Sequence, residues 1–436
     1  MADHLKSNHP FEAVLVDGVR IPFQRSGTGY KKLMAYDLGR MAIEGLIGRS
    51  AISSKDIDRV IMGTVIQDVN TSNVARESAL GAGIPNSVPA HTVTQACISS
   101  NQATSSAADL IRSGQAKIVL AGGTETMSDI PIRFRKKFRQ KLLDARKYKS
   151  ISDFLRFFKG LRPSDLLPDI PQISEFSTGE TMGESCDRMA AHFGISREEQ
   201  DEYALRSHQL AARATHEGLL DNQLIPATVP PDFEVVKTDN GFREDTSMEK
   251  LSNLSPAFIK PHGTITAGNS SFLTDGASAS LIMEKETAHK LGLTPKAYLR
   301  AYTYVAQDPQ EELLLGPAYA TPKVLDMMGL QLSDIDVFEF HEAFAGQILT
   351  VLKALNSDKF ANDYLGRSHK VGDVPMDKFN CWGGSLSLGH PFGATGTRLV
   401  TTAADRLHHE GGNLALVAAC AAGGQGHAMI LERFDG

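Results

Sequence analysis

A segment near the start of the chain returns in altered form near its end, and this internal repeat constrains the fold more than any other feature. Asp56-Ile57-Asp58 precedes one apolar run, and Asp334-Ile335-Asp336, 278 positions later, precedes another. Farther on, the sequence SSAAD at 105–109 resembles TTAAD at 401–405, with an offset of 296 positions. Two such pairs in the same order predict a chain built from two related halves.

Short apolar runs alternate along the chain with segments of helical periodicity. The run Ile118-Val119-Leu120 is typical of a buried strand, whereas Leu38, Met41, Ala42 and Leu46 recur at helical spacing. This alternation predicts an α/β fold with buried sheets. Each half is then an α/β unit of roughly 100 residues or more, with a long insertion between about 125 and 250 in the first half.

Charge and hydropathy exclude several classes of protein. The net charge is -6 and the pI is about 6.2, which argues against a nucleic-acid partner. The longest strongly apolar stretch, 414–422, is far shorter than the roughly 20 residues of a membrane span. The N-terminal residues resemble neither a signal peptide nor a transit peptide, and four cysteines make no disulfide framework. We therefore expect a cytoplasmic protein with free thiols.

The insertion contains a strongly basic segment. Residues 130–162 hold twelve Lys/Arg and two Asp, a local charge of +10. Within it Ile151, Phe154, Leu155 and Phe158 fall at helical spacing. One interpretation is a solvated excursion whose aromatic face packs on the protein's own core. The others are a segment that lies on an anionic membrane, one that docks a partner, and one that steers polyanionic substrates.

Cys97 is the first candidate for chemistry. It follows an apolar run and precedes a Ser/Ala-rich helical segment at 105–111. A cysteine at such a turn lies next to a helix N-terminus, where backbone N–H groups favour the thiolate. The alternative is a small buried hydrophobic residue, which is the usual role of a lone cysteine.

His390 and Cys420 are the second and third candidates. His390 lies in a glycine-rich loop, residues 383–396, which matches no phosphate-binding or dinucleotide fingerprint. Cys420 ends an apolar run in the second copy of the repeat, whereas Cys186 is interpreted as helix packing. Adjacent histidines at 408 and 409 cannot share one helix face, so the sequence predicts no metal site.

With Cys97, His390 and Cys420 in this order on a duplicated α/β chain, the sequence resembles the thiolase family. The closest resemblance is to the 3-ketoacyl-CoA thiolase (β) subunits of fatty-acid oxidation complexes of the trifunctional type, and it covers about residues 11–433. The motifs that carry it are Val19-Arg20-Ile21-Pro22-Phe23, the stretch 264–271, Asp275-Gly276-Ala277, His341-Glu342-Ala343-Phe344 and the segments around His390 and Cys420.

The resemblance implies a fold of duplicated βαβαβαββ halves that form an α/β/α/β/α core. It implies an N-terminal half at 1–125 completed by 251–286, an inserted loop domain at 126–250, and a C-terminal half at 287–436. It implies an acyltransferase for the last step of β-oxidation, with coenzyme A as substrate and no permanently bound cofactor.

The implied reaction uses two thiols. Cys97, deprotonated by His390, attacks the 3-keto carbon, and an acyl-thioester on Cys97 and an acetyl-CoA carbanion result. Cys420 then protonates the carbanion and later deprotonates the incoming CoA thiol. The resemblance also implies two oxyanion sites: His390 with a water held by His341, and the backbone N–H groups of Cys97 and Ala422.

Two positions depart from the usual family pattern, and one further position matches it. His341 stands where many thiolases have Asn, and Ala422 stands where many have Gly. Imidazole can still hold a water, and a backbone donor survives at Ala422, although its φ is more restricted than that of glycine. Ser271 matches a serine that contacts the pantetheine arm of CoA.

The resemblance also implies partners. It indicates a homodimer within a hetero-oligomer whose α subunit carries hydratase and 3-hydroxyacyl-CoA dehydrogenase activities, with peripheral membrane contact through 130–162 as a further expectation. Three other functions stay open. The first is a ketoacyl synthase, which would not use Cys420 as a second catalytic thiol. The second is a biosynthetic acetoacetyl-CoA thiolase, which shares the chemistry but belongs to a synthetic pathway. The third is a non-catalytic scaffold subunit, which would need none of Cys97, His390 and Cys420.

Overall fold

The computed structural model describes residues 11–169 and 173–435. The strands of this part of the chain are β1 (Ala13–Arg20), β2 (Gln24–Arg25), β3 (Arg59–Gly63), β4 (Ala90–Val93), β5 (Ile118–Glu125), β6 (Arg133–Phe134), β7 (Pro168–Asp169), β8 (Ala227–Val229), β9 (Glu234–Val236), β10 (Thr274–Glu284), β11 (Ala297–Ala306), β12 (Val337–Phe340), β13 (Leu414–Ala421) and β14 (Gln425–Arg433).

The α-helices of the same residues are α1 (Ala35–Ser50), α2 (Val74–Gly81), α3 (Ser99–Arg112), α4 (Lys136–Ala145), α5 (Ile151–Phe158), α6 (Met182–His192), α7 (Arg197–His216), α8 (Met248–Ser252), α9 (Lys285–Lys290), α10 (Gly316–Met328), α11 (Ala345–Leu355), α12 (Asp358–Tyr364), α13 (Ser385–Leu388) and α14 (Thr395–Glu410). Short 3-10 helices lie at Ser54–Asp56, Pro163–Leu166, Asp221–Gln223 and Leu332–Asp334.

The main sheet consists of two halves with the same strand order. The first half runs β4-β3-β5-β10-β1, and the second runs β12-β13-β14-β11. The position of β4 is taken in the second half by Phe379, which forms an isolated parallel bridge with Phe338 of β12. The halves join where β1 pairs with β11. Because each of these two strands offers an edge to the other, the two predicted sheets are continuous.

Two aspartates make the same contacts in the two halves. Asp58 Oδ2 accepts hydrogen bonds from the backbone N–H groups of Lys117 and Ile118, at 2.7 and 3.0 Å, at the start of β5. Asp336 Oδ2 accepts the equivalent pair, at 2.7 and 3.1 Å, at the start of β13. These are the aspartates that end the two copies of the repeated tripeptide, so the predicted duplication is confirmed.

The helices and the two halves of the sheet form five layers, and three of the four apolar clusters of the described residues lie between these layers. The innermost cluster holds α3 and α14, which lie between the two halves of the sheet and contact both. The helices α1 and α2 cover the other face of the first half, and α10 and α11 cover the other face of the second. This arrangement places the N-termini of α3 and α14 close together at the centre of the molecule, beside Cys97 and His390.

The predicted insertion, 126–250, lies between β5 and β10, and its parts differ in their packing. Helices α6 and α7 pack on the apolar cluster of the second half. Helices α4 and α5, flanked by the paired strands β6 and β7, form a basic hairpin, residues 130–169. None of the helices in 11–169 and 173–435 combines the length and apolar character that a membrane span requires.

The apolar face of the basic hairpin points outward. Ile151, Phe154, Leu155 and Phe158 are 83%, 58%, 69% and 68% exposed. Only the neighbouring Phe157 turns inward, with its ring 5.9 Å from that of Phe138 on α4. The interpretation in which this face packs on the protein's own core is therefore wrong, because the hairpin is too small to cover both sides of α5.

Candidate active site

Cys97 lies in a tight turn between β4 and α3, as its sequence context predicts. The preceding residue, Ala96, has a left-handed φ of 47°, which is uncommon for a residue with a side chain. The Ser99 hydroxyl accepts from the Gln95 N–H at 2.8 Å and donates to the Ala96 carbonyl at 2.7 Å. These bonds offset the strain of the turn, about 1–3 kcal/mol, and hold the backbone from which the Cys97 side chain extends.

Two imidazoles face the Cys97 sulfur. Cys97 Sγ and one ring nitrogen from each of His341 and His390 lie within 4.8 Å of one another. The two rings are tilted against each other with their centroids 3.9 Å apart. The backbone N–H groups of Ala422 and of Cys97 itself lie near the sulfur and act to lower its pKa. The structure thus brings together four of the residues that the sequence selects.

His390 is held by contacts on both sides of its loop. Its backbone N–H donates to Thr274 Oγ1 at 3.0 Å, and its Nδ1 lies 2.6 Å from Thr395 Oγ1. The Thr395 hydroxyl donates to the Pro391 carbonyl at 3.2 Å, so its oxygen is left to accept from Nδ1–H. In that tautomer Nε2 carries a lone pair, and Nε2 is buried without a partner in the protein. Burial lowers the pKa of His390, which keeps the ring neutral.

His341 is oriented by a buried arginine. Its Nδ1 lies 2.9 Å from Ser385 Oγ, and the Arg398 guanidinium donates to the same oxygen at 2.9 Å. Because arginine only donates, the Ser385 hydroxyl hydrogen is free to point at Nδ1. His341 then carries its hydrogen on Nε2, on the side of Cys97. Burial, reinforced by the Arg398 charge, lowers the pKa of His341 to about 3.

The Cys97 thiol is neutral in the resting protein, which contradicts the expectation that the helix N-terminus favours the thiolate. Burial raises the pKa of Cys97 to about 12, and the charge of Glu125 contributes in the same direction. The N–H groups of Ala422 and Cys97 act in the opposite direction but do not outweigh burial. Ionisation of the thiol therefore depends on transfer of its proton to a nearby base.

This neutrality predicts the pH dependence of alkylation. Well below the pKa, the thiolate fraction rises about tenfold per pH unit, and iodoacetamide reacts with the thiolate. We expect the rate of Cys97 modification, followed by peptide mass spectrometry, to rise without a plateau from about pH 6 to pH 9. Unfolded protein, with its Cys97 pKa near the ordinary value of about 8.5, is the control. A plateau below about pH 8 in the folded protein would contradict the neutral thiol.

Cys420, Ala422 and Ser271 lie around the same centre. Cys420 is buried near the end of β13, and burial, with the nearby Cys97 sulfur as a second cause, raises its pKa well above the ordinary range. Ala422 does not have a positive φ, since the left-handed positions fall on Gly423 and Gly424, so its N–H is presented without strain. Ser271 is half-buried, and its backbone N–H donates to the carbonyl of Ala343 in the His341 motif at 3.0 Å.

Sequence reasoning missed two buried charged residues of the site. Glu125 is fully buried at the end of β5 and accepts from the backbone N–H groups of Val65, Ile66 and Gly393 at 2.9–3.0 Å. Burial raises its pKa to about 7. Arg398 is 1% exposed. The signal for both was available: each is a charged residue on a strand or helix whose neighbours are nearly all apolar or small.

The glycine-rich loop allows the two halves to touch at this point. A Cβ on Gly123 would lie 1.8 Å from the carbonyl oxygen of Gly393, and one on Gly393 would lie 2.7 Å from that of Thr124. Only glycine permits this approach, through which Glu125 of the first half holds the His390 loop of the second. The predicted role of the glycines in close backbone approach is confirmed.

Comparisons with known proteins identify the family. The family models described as "Thiolase, N-terminal domain" and "Thiolase, C-terminal domain" match residues 13–286 and 293–433. The mitochondrial trifunctional enzyme subunit beta of Bos taurus is 61% identical over 421 residues, which make up 97% of this chain and 88% of that protein.

Solved structures agree with these matches. The acetyl-CoA acetyltransferase of Bacillus anthracis superposes with a TM-score of 0.83 at 31% identity, over 98% of this chain and 100% of that one. Human mitochondrial 3-ketoacyl-CoA thiolase in complex with CoA gives 0.82 at 31% identity, over 97% and 98%. The predicted fold is confirmed, and the chain belongs to the thiolase family of acyltransferases.

Proposed function

We propose that the protein catalyses CoA-dependent thiolytic cleavage of 3-ketoacyl-CoA to acetyl-CoA and an acyl-CoA shortened by two carbons, as the last step of β-oxidation. The observation that carries the proposal is that Cys97 Sγ and one ring nitrogen from each of His341 and His390 lie within 4.8 Å of one another, with the Ala422 N–H near the sulfur. A soft sulfur suits this reaction because it attacks a carbonyl and leaves again with equal ease.

In the first half of the proposed reaction, Cys97 gives its proton to His390 Nε2 as the sulfur attacks the 3-keto carbon. The transfer accompanies the attack, because neither the thiolate nor the imidazolium is stable alone in the buried site. The C2–C3 bond then breaks, which leaves the acyl group on Cys97. Cys420 supplies a proton to the acetyl-CoA carbanion.

In the second half, Cys420 takes the proton of an incoming CoA thiol, and the CoA sulfur attacks the thioester on Cys97. The Cys97 sulfur leaves and takes back the proton that His390 Nε2 holds. We assign one oxyanion site to His390 with a water held by His341, and the other to the N–H groups of Cys97 and Ala422. Loss of one such donor typically costs about 3 kcal/mol, or 100-fold or more in rate. Ser271, whose backbone is bonded to the His341 motif, is assigned to the pantetheine arm of CoA.

The test is CoA-dependent loss of 3-ketohexadecanoyl-CoA against acetoacetyl-CoA by the purified chain. We expect turnover of the long substrate. Preference for acetoacetyl-CoA would be consistent with the same mechanism but would assign the protein to a pathway other than β-oxidation of long chains. Absence of turnover of both, also after addition of an α subunit with hydratase and dehydrogenase activities, would overturn the proposal.

We propose the same assembly and domain limits as the sequence predicts. The bovine relative is a subunit of a trifunctional enzyme, which supports a hetero-oligomer with that α subunit around a homodimer of this chain. The limits of the inserted domain, 126–250, and of the halves at 1–125, 251–286 and 287–436 are likewise proposals. The cytoplasmic location stays a prediction, because relatives include mitochondrial and bacterial proteins.

We further propose that the basic hairpin rests on an anionic membrane. Its outward face carries four large apolar side chains, each worth about 1.5–3 kcal/mol when fully buried. The twelve basic residues of 130–162 flank this face, and each Lys or Arg near an anionic surface contributes about 1 kcal/mol. An apolar face bordered by cations is the pattern of an interfacial helix.

This contact predicts a charge-dependent result in vesicle co-sedimentation. Replacement of Arg135, Lys136, Lys137 and Arg139 with Glu should lower binding to vesicles containing phosphatidylserine by more than about tenfold, since the local attraction becomes repulsion. The matched control carries the same change of charge at four exposed lysines elsewhere, Lys31, Lys32, Lys55 and Lys290. Equal binding of both variants to the vesicles would refute the membrane contact. If only the control variant still bound an α subunit, the result would favour a protein partner for the hairpin.

A further inference from the structure

The three side chains that face one another in the site are also a set of metal ligands. One thiol and two imidazoles, from Cys97, His341 and His390, offer donor atoms within 4.8 Å of one another. We propose that these three residues bind Zn²⁺ and that the metal reversibly inhibits the enzyme. Sequence spacing could not reveal such a site, because the ligands come from three segments that only the fold brings together.

The geometry needs only a small adjustment. Zn–S bonds are about 2.3 Å and Zn–N bonds about 2.0–2.1 Å, so tetrahedral ligand atoms lie about 3.4–3.6 Å apart. A separation of up to 4.8 Å closes by movements of about 1 Å, which rotation of the half-buried Cys97 side chain can supply. The fourth position is left for a solvent molecule or another thiol.

The surroundings of the two rings also suit a metal. His341 Nε2 and His390 Nε2 are buried and have no hydrogen-bond partner in the protein. The opposite ring nitrogens lie 2.9 Å from Ser385 Oγ and 2.6 Å from Thr395 Oγ1. Metal-binding histidines commonly have such a contact at the second nitrogen, which holds the ring. Thr395 Oγ1 accepts from Nδ1–H of His390, so that ring already presents its Nε2 lone pair. His341 must move its hydrogen from Nε2 to Nδ1, and Ser385 Oγ can accept from it there because a hydroxyl oxygen has a second lone pair beside the one that accepts from Arg398.

The binding step involves no redox change. The Cys97 thiol releases its proton to solvent, a Zn–S bond forms, and each imidazole donates a lone pair. The metal therefore binds the sulfur of Cys97 and the Nε2 of His390 at the same time. Because these atoms are the proposed nucleophile and its base, turnover stops until the metal leaves. His341 completes the set, whereas an asparagine at this position would leave only two good zinc ligands.

The test uses Co²⁺ as a spectroscopic probe for Zn²⁺ in the full-length chain. Background ligands are first removed by Cys381→Ser, His408→Gln and His409→Gln, three positions outside the site. We expect this protein to show a thiolate-to-cobalt charge-transfer band that Zn²⁺ displaces. Cys97→Ser should abolish the band. His341→Asn should weaken binding by more than the 10–100-fold that loss of a neighbouring hydrogen-bond partner costs.

Zinc inhibition of each protein, relative to its own metal-free rate, is the second measurement. EDTA should restore the activity of the background protein, which carries only Cys381→Ser, His408→Gln and His409→Gln. In His341→Asn the zinc concentration for half-inhibition should rise by more than about 100-fold. Circular dichroism checks that each variant folds. Absence of the band in the background protein, or equal zinc sensitivity in His341→Asn, would overturn the metal site. The cobalt spectrum needs no turnover, so it is independent of the proposed reaction.

Discussion

Replacement of Cys97 with alanine is expected to lower the rate of thiolysis by about 10⁴–10⁶-fold, the range seen when a covalent nucleophile is removed. The proposed reaction has no route that avoids the acyl-thioester. Neither His390 nor His341 can replace the sulfur, since both are committed to proton transfer and to the oxyanion. The measurement is CoA-dependent loss of 3-ketohexadecanoyl-CoA.

The same substitution at Cys381 is the control. Its thiol is half-buried and donates to the Asp377 carbonyl at 2.9 Å, away from the site. Cys381→Ala should keep the rate of the unaltered protein within about twofold, as expected of a surface substitution. A Cys97→Ala protein that is folded and keeps more than about 1% of the rate would exclude covalent catalysis by Cys97.

Removal of the second thiol has the next largest expected effect. Cys420→Ala should lower the rate by about 10²–10⁴-fold, the usual contribution of a positioned general acid or base. Cys420 is buried and its pKa is well above the ordinary range. Cys420 therefore still carries its proton when the carbanion forms. Once it has given up that proton, the Cys420 thiolate is a strong base.

Exchange of labelled CoA into tetradecanoyl-CoA isolates the second half of the reaction. In Cys420→Ala nothing deprotonates the incoming thiol, so exchange should rise about tenfold per pH unit below the ordinary thiol pKa of about 8.5. The unaltered protein should vary much less with pH. Cys186→Ala, which removes a buried thiol of α6, is the matched control and should follow the unaltered protein. If exchange by Cys420→Ala varied with pH as little as exchange by the unaltered protein, Cys420 would not be the base that deprotonates CoA.

Much of the fold was predictable because the duplication leaves a local signature. Asp58 and Asp336 must each bond two backbone N–H groups at the start of a strand, so the tripeptide around them is retained in both halves. The continuity of the sheet through β1 and β11 was not predictable, since edge pairing leaves no pattern in either strand. The outward orientation of α5 was also open, because helical spacing shows that a face exists but not what covers it.

The candidate site was predictable in its reacting residues and not in their surroundings. Cys97, His390 and Cys420 lie at turns and strand ends that local sequence indicates. The protonation state of Cys97 depends on burial among segments far apart in the chain, and the helix N-terminus alone suggested the opposite. Glu125 acts through contacts across the two halves, and Arg398 acts through Ser385 of a separate segment of the second half. Only the folded chain defines these contacts.

Mass spectrometry of the acyl-enzyme tests the central proposal most directly. The protein is mixed with 3-ketohexadecanoyl-CoA in the absence of free CoA, quenched in acid and digested. We expect one tetradecanoyl group on the peptide that contains Cys97, one acetyl-CoA released per site, and loss of the group when CoA is added. An acyl group on Cys420 instead, or acetyl-CoA release without any acyl-enzyme, would contradict it.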